Sequence, residues 1–190
     1  MKVVSDRISI VEKEGELSIV ISACNNKRRR QFMTVILALW ILGGITFAFS
    51  FSSLKTDDVK MMVLIWLAFW LYFLYVIVKS WRWNIYGNEI IKIRNGKLFY
   101  KKDVKGRGWV LDYDLEQIRD MRIKPDSGPN WIKQFGGDYW STEADSIHFI
   151  HNGSEIPFGF QLKKEEAEKV IKNISRFVLK TMKQQQSSGK

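Results

Sequence analysis

Residues 27–53 read KRRRQFMTVILALWILGGITFAFSFSS. Four cations stand at the head of this stretch, and residues 32–53 carry no charge at all. At about 1.5 Å per residue, a helix over 32–53 would be about 33 Å long. The hydrocarbon core of a bilayer is about 30 Å thick. A second uncharged stretch, 61–78, would reach about 27 Å as a helix. Each stretch contains eleven Val, Ile, Leu or Phe residues, and each such residue favours insertion by about 0.3 to 0.6 kcal/mol. A helix of a soluble domain keeps a polar stripe, and neither stretch has one. The pattern predicts two membrane-crossing helices, at about 32–53 and 61–78.

The link between them, LKTDDVK, is too short for a domain, so the two helices must form a tight hairpin with both flanking segments on one side. Lys27, Arg28, Arg29 and Arg30 precede the first helix, and Lys79 and Arg82 follow the second; the link holds only Lys55 and Lys60. The excess of cations at the open end predicts that both termini are cytoplasmic. Neither helix interior holds an Asp, Glu, Lys, Arg or His, which argues against an ion or proton pathway through this hairpin. Gly44, Ala48 and Ser52 recur every four residues and mark a face where another helix can approach closely.

Outside the hairpin the sequence changes character. The formal charge of +10 favours polyanions such as anionic lipid surfaces or nucleic acid. No base-reading or stacking surface accompanies it, so nucleic acid is not expected as a partner. The single cysteine, Cys24, permits no internal disulfide. RISIV and LSIVIS alternate around EKEGE and predict a β-hairpin in residues 1–26. GNEIIKIR and KLFYKK flank Asn95-Gly96, a dipeptide suited to a two-residue turn that needs positive φ at both positions. Further strands are predicted at WVLDY, LEQIRDMRI, SIHFIH and EIPFGF. In KKEEAEKVIKNISRFVLKTMK, residues Ala167, Val170, Ile171, Ile174, Phe177 and Val178 share one helical face, with a disordered tail expected at 184–190.

The order of two membrane helices, several strands and a closing amphipathic helix resembles bacterial membrane proteins that carry a C-terminal pleckstrin-homology-like (PH-like) domain. WRWNIYGNEIIKIRNGKLFY and IPFGFQLKKEEAEKVIKNI carry the resemblance. It implies a bent antiparallel sheet or partial barrel over 81–183, plugged by its helix, and a scaffold or binding module in the cell inner membrane. Lipid-binding PH domains of eukaryotes usually place a Trp in the closing helix; residues 163–183 hold none, so phosphoinositide binding is not carried over.

Residues 92–107 hold seven basic residues and one acidic one. A two-residue turn at Asn95-Gly96 sets Lys92, Arg94, Lys97 and Lys101 on the outer face of its hairpin. Like charges in opposed positions destabilise a sheet, and a bound anion would relieve them. These four residues are the candidate contact for anionic headgroups or an acidic protein partner. Trp131 and Trp140, in the aromatic stretch 124–145, are candidates for the membrane interface or a partner surface. His148 and His151 are three apart, which on a strand points them to opposite faces and does not suit a shared metal. The sequence contains no HExxH, CxxC, nucleophile elbow or P-loop. The expectation is a binding module or an accessory subunit of a membrane complex, not an enzyme, with no cofactor.

Overall fold

The computed structural model describes residues 2–23, 27–51, 53, 55–123 and 145–188. Three strands come first: β1 (Lys2–Ser5), β2 (Ile8–Lys13) and β3 (Glu16–Ser22). Two long helices follow, α1 (Lys27–Phe51) and α2 (Asp57–Tyr86). The chain then forms β4 (Gly87–Arg94), β5 (Lys97–Val104), β6 (Val110–Asp114), a single 3-10 turn, β7 (Ile118–Ile123), β8 (Asp145–His151) and β9 (Ser154–Phe160). It ends in α3 (Lys164–Ser188).

Both long helices outrun the uncharged stretches that announced them. Charge sets where a helix leaves hydrocarbon, not where it ends. Lys and Arg are good helix formers, so α1 begins among the cations at Lys27. Asp57 and Asp58 lie in the first turn of α2, where the helix dipole favours anions. No Gly or Pro interrupts residues 79–86, and α2 continues through them as far as Gly87. The segment WRWNIY is therefore the last part of a helix and not the opening of the β domain. At the other end of the chain α3 runs as far as Ser188, since Gln and Ser do not break a helix.

Both helices are long and apolar enough to cross a membrane. Only 11% of the first apolar window and 6% of the second is buried, so neither is the core helix of a soluble body. They associate the chain with a membrane. Across the hairpin, Trp40 stacks on Trp70 with ring centroids 6.2 Å apart, and Phe47 lies against Trp66 at 4.1 Å. Gly44 meets α2 directly, with the Trp70 ring filling the space a side chain would need. Ala48, on the same expected stripe, is exposed. Hydroxyls on α1 are satisfied within the helix: Thr34 donates to Arg30 O, Thr46 to Leu42 O and Ser50 to Thr46 O.

The strands form two antiparallel sheets, not a closed barrel. The larger has the order β1-β2-β3-β4-β5-β6, and the smaller β7-β8-β9. The pairing of β3 with β4 runs from Glu16↔Arg94 to Ser22↔Asn88. Ala23 N–H extends it to Gly87 O at 3.0 Å. The two long helices are thus inserted between neighbouring strands of one sheet, and the N-terminal strands are part of the body that follows the hairpin. Asn95 and Gly96 both take positive φ (51° and 72°), which gives the expected register of Lys92↔Phe99 and Arg94↔Lys97.

Inner-face residues Ile19, Ile91, Ile93, Leu98, Ile147, Phe149 and Phe158 are almost fully buried. Over them lie Ala167, Val170, Ile174 and Phe177 of α3, with Ile171 and Val178 packed at the margin. A second, smaller core holds Trp83, Phe160 and Ala23 and fixes the end of α2 to the sheets.

Candidate functional site

Lys92, Arg94, Lys97 and Lys101 all lie on β4 and β5, and Lys92 and Arg94 are exposed. The neighbouring strand supplies what the hairpin alone lacks. On β6, Asp114 stands opposite Lys97 and Asp112 opposite Phe99. Lys97 Nζ donates to Asp112 Oδ2 at 2.9 Å and lies 3.8 Å from Asp114. This bond holds the Asp112 carboxyl below, and the Lys97 ammonium above, their ordinary ranges. Lys101 pairs with Asp103 and donates to Gly106 O at 3.0 Å. The Asp103 carboxyl is lowered first by Lys101 and then by the Gly106 N–H. Glu16 stands opposite Arg94 on β3. The outer face is therefore a mixed ionic ladder.

Position matters as much as charge. Gly87 opens β4 directly after α2 and stands opposite Val104, the last residue of β5. Arg94 is seven residues further along, about 23 Å at strand spacing. Arg94 and Lys97 sit at the end of the sheet remote from the helices, and the β5–β6 turn sits at the near end. Ile123 and Asp145 also lie near this end, where Asp145 meets Phe160 and Lys102. Trp131 and Trp140 fall outside the described residues.

A buried polar cluster at the near end was not anticipated. Glu89 is 0% exposed. Its Oε2 accepts the Gly159 N–H at 2.8 Å and the Phe160 N–H at 2.9 Å, and its Oε1 accepts the Tyr100 hydroxyl at 2.9 Å. Gly159 takes a φ of 79°, a conformation open to glycine, where two successive N–H groups converge on one oxygen. Lys102 Nζ lies 3.1 Å from Asp145 Oδ2 and 3.8 Å from Glu89 Oε1. Burial pushes the Glu89 carboxyl up and the Asp145 charge adds to this; the Phe160 N–H, Lys102 and Tyr100 oppose it. The Tyr100 hydroxyl is raised far above its usual range, first by burial and then by the two carboxylates.

Arg7 completes the arrangement from β2's side. Its guanidinium donates to Ser22 O, Gln161 O and Phe160 O at 3.0–3.1 Å. Phe160 is gripped at both backbone groups, its N–H by Glu89 and its carbonyl by Arg7. The cluster clasps the end of β9 to the large sheet beneath α2; its geometry is that of a structural joint. The sequence did carry a signal for half of it. Glu89 is in phase with Ile91 and Ile93, so a charge occupies a core-facing position. Arg7 and Asp145 left no such mark.

His148 Nε2 lies 3.2 Å from Glu155, and His151 packs on Tyr113 at 5.1 Å, on opposite faces of β8. Among the described residues no group of three or more His, Cys, Asp or Glu could hold a metal ion. An open groove of about 310 Å³ runs along the helical hairpin, lined by aromatic residues that include Trp40, Phe47, Trp66 and Trp70. The chain matches no family model, no curated protein and no solved structure.

Proposed function

We propose that this protein is a membrane-anchored, non-catalytic binding module, whose PH-like body stands at the cytosolic leaflet of the cell inner membrane and recruits an acidic protein partner. The observation that carries the reading is the insertion of the apolar hairpin between two paired strands, β3 and β4. A domain tethered by one flexible linker samples many orientations. A domain whose sheet closes the open end of the hairpin holds a fixed face toward the bilayer and another toward water. The cations around 27–30 and at Lys79 and Arg82 favour the cytosolic side. Four strands, then three, then a helix is the succession of a PH-like domain, here with β1 and β2 added at the edge and β3 serving as the fourth strand.

Of Lys92, Arg94, Lys97 and Lys101, the exposed Lys92 and Arg94 lead the proposed partner contact, while Lys97 and Lys101 are engaged by Asp112 and Asp103. Arg94 and Lys97 stand about 23 Å from the helix end, beyond the reach of headgroups in the anchoring leaflet, so an acidic protein suits them better than lipid. Photocrosslinking from Lys92 and Arg94 in native membranes tests this. Discrete protein adducts that vanish when all four residues are replaced by Gln are expected; adducts to lipid alone, or none, would refute it.

A second reading has one observation in its favour. The aromatic groove of the hairpin suits a helix of a larger complex, which would make this chain an accessory or assembly subunit. Fixed membrane-protein partners lost on substitution of Trp66, with the basic face intact, would favour that reading.

A further inference from the structure

We infer that the β5–β6 turn is a second membrane contact, a foot that sets Lys105 and Arg107 on anionic headgroups and the Trp109 indole in the interface of the leaflet the hairpin enters. The inference rests on the reading of α1 and α2 as bilayer-spanning. A chain of contacts leads from the apolar surface to the turn. Trp81 Nε1 on α2 donates to Thr34 Oγ1 on α1 at 3.0 Å, inside the first uncharged stretch. The Trp81 ring meets Tyr86 edge-on at 6.2 Å, and Lys105 Nζ lies over the Tyr86 ring at 3.8 Å. The turn is therefore level with the last turn of α2, about 12 Å along the helix axis beyond residue 78, at headgroup depth rather than in the hydrocarbon.

The turn is also rigid. Val104 and Arg107 exchange both backbone hydrogen bonds, at 2.8 and 3.1 Å, and Gly106 N–H donates to Asp103 at 3.0 Å. Lys105 and Gly106 hold positive φ, 53° and 83°. Such a pinned turn nonetheless leaves Trp109 90% exposed, followed by Val110 at 59% and Leu111 at 50%. An indole this exposed, beside two cations, suits a membrane or partner interface better than water alone. Indoles beside cations are what a bilayer interface accepts, with the ring at headgroup level and the charges on phosphates. The nearest acid, Asp103, is already engaged by Lys101 and the Gly106 N–H.

The test uses the full chain with Cys24→Ser, reconstituted in phosphatidylcholine–phosphatidylglycerol bilayers and carrying one spin label at a time. The labels are placed at Trp109→Cys, at Asn95→Cys on the remote turn, and at Leu71→Cys within α2. Depth is read from relative accessibility to oxygen and to a water-soluble nickel chelate. The foot predicts nickel protection and oxygen access at 109, full nickel access at 95, and a hydrocarbon signal at 71. Neutralising both charges, Lys105→Gln with Arg107→Gln, should lower the ratio of docked to undocked label at 109 about thirtyfold, from the loss of two juxtamembrane cations. Nickel access at 109 equal to that at 95, or shielding from both probes as in a protein interior, overturns the foot while leaving the hairpin intact. Nickel access at 71 would instead overturn the spanning reading beneath it.

Discussion

At Glu89 a single side chain ties the end of β9 to β4. Its carboxylate is the acceptor for two backbone N–H groups and a tyrosine hydroxyl, all buried. Glu89→Ala strands three donors, and each unsatisfied buried group costs about 1–3 kcal/mol, so a loss of about 3 kcal/mol or more is expected. Glu89→Gln keeps an oxygen for the N–H pair and an N–H₂ for Tyr100, and should stay within about 1 kcal/mol of the parent. Thermal unfolding in mild detergent distinguishes them; equal melting temperatures for Ala and the parent would disprove the clasp. The same pair of proteins has a pH signature. Burial raises the folded-state pKa of Glu89 above its ordinary value of 4.5. The folded chain then holds the proton more tightly than the unfolded chain, so stability falls as pH rises from about 4.5 through the raised value. Glu89→Gln cannot ionise, and its advantage over the parent should grow across that window and then level off. The lowered carboxyls of Asp103 and Asp112 act the other way, losing stability as pH falls, but they are common to both proteins and cancel in the difference. A gap that shrinks as pH rises would contradict the assignment.

At the scale of elements, the junction of α2 with β4 leaves no room for a side chain. Gly87 is buried, and a Cβ there would meet the Trp83 carbonyl and ring. Its φ of −72° suits any residue, so glycine is required by space and not by conformation. Gly87→Ala should destabilise the body by about 1–3 kcal/mol, the range for overpacking. Gly96→Ala, in an open turn at φ 72°, should cost about 1 kcal/mol, the lower end of the left-handed penalty. Denaturant midpoints of the two variants in detergent would order them, and a milder effect at Gly87 would contradict the junction. These two glycines also mark what the sequence made legible. Asn95-Gly96 announced its hairpin and register because the turn is local chemistry. Alternation announced β2 to β9, and the helical period gave the buried face of α3. Gly87 gave no notice, because the atoms that exclude a side chain lie on a helix whose length charge alone had understated. Joining β3 to β4 spans sixty-six residues from Ser22 to Asn88, a pairing that no local pattern reports. The charge of the basic hairpin was read correctly residue by residue, but its balance by Asp112 and Asp114 depended on which strand became the neighbour.

For the whole molecule, that long-range pairing fixes topology more firmly than charge counting does. If β3 and β4 are adjacent in one sheet, the N-terminal strands and α3 must share one side of the membrane, whichever side it is. On the proposed reading, the cations at the open end of the hairpin put that side in the cytosol. In a Cys24→Ser background, cysteines at Glu14, on the β2–β3 turn, and at Lys172, on the exposed face of α3, should react with an impermeant maleimide only in inside-out vesicles. Lys55→Cys, in the interhelical link, should react only in right-side-out ones. The two outcomes that contradict this carry different meanings. Reaction of positions 14 and 172 from opposite sides would break the sheet itself, and with it the fixed presentation of the basic face. Reaction of both from outside would leave the sheet standing and reverse only the orientation, so that the partner and the leaflet would have to be sought on the other side.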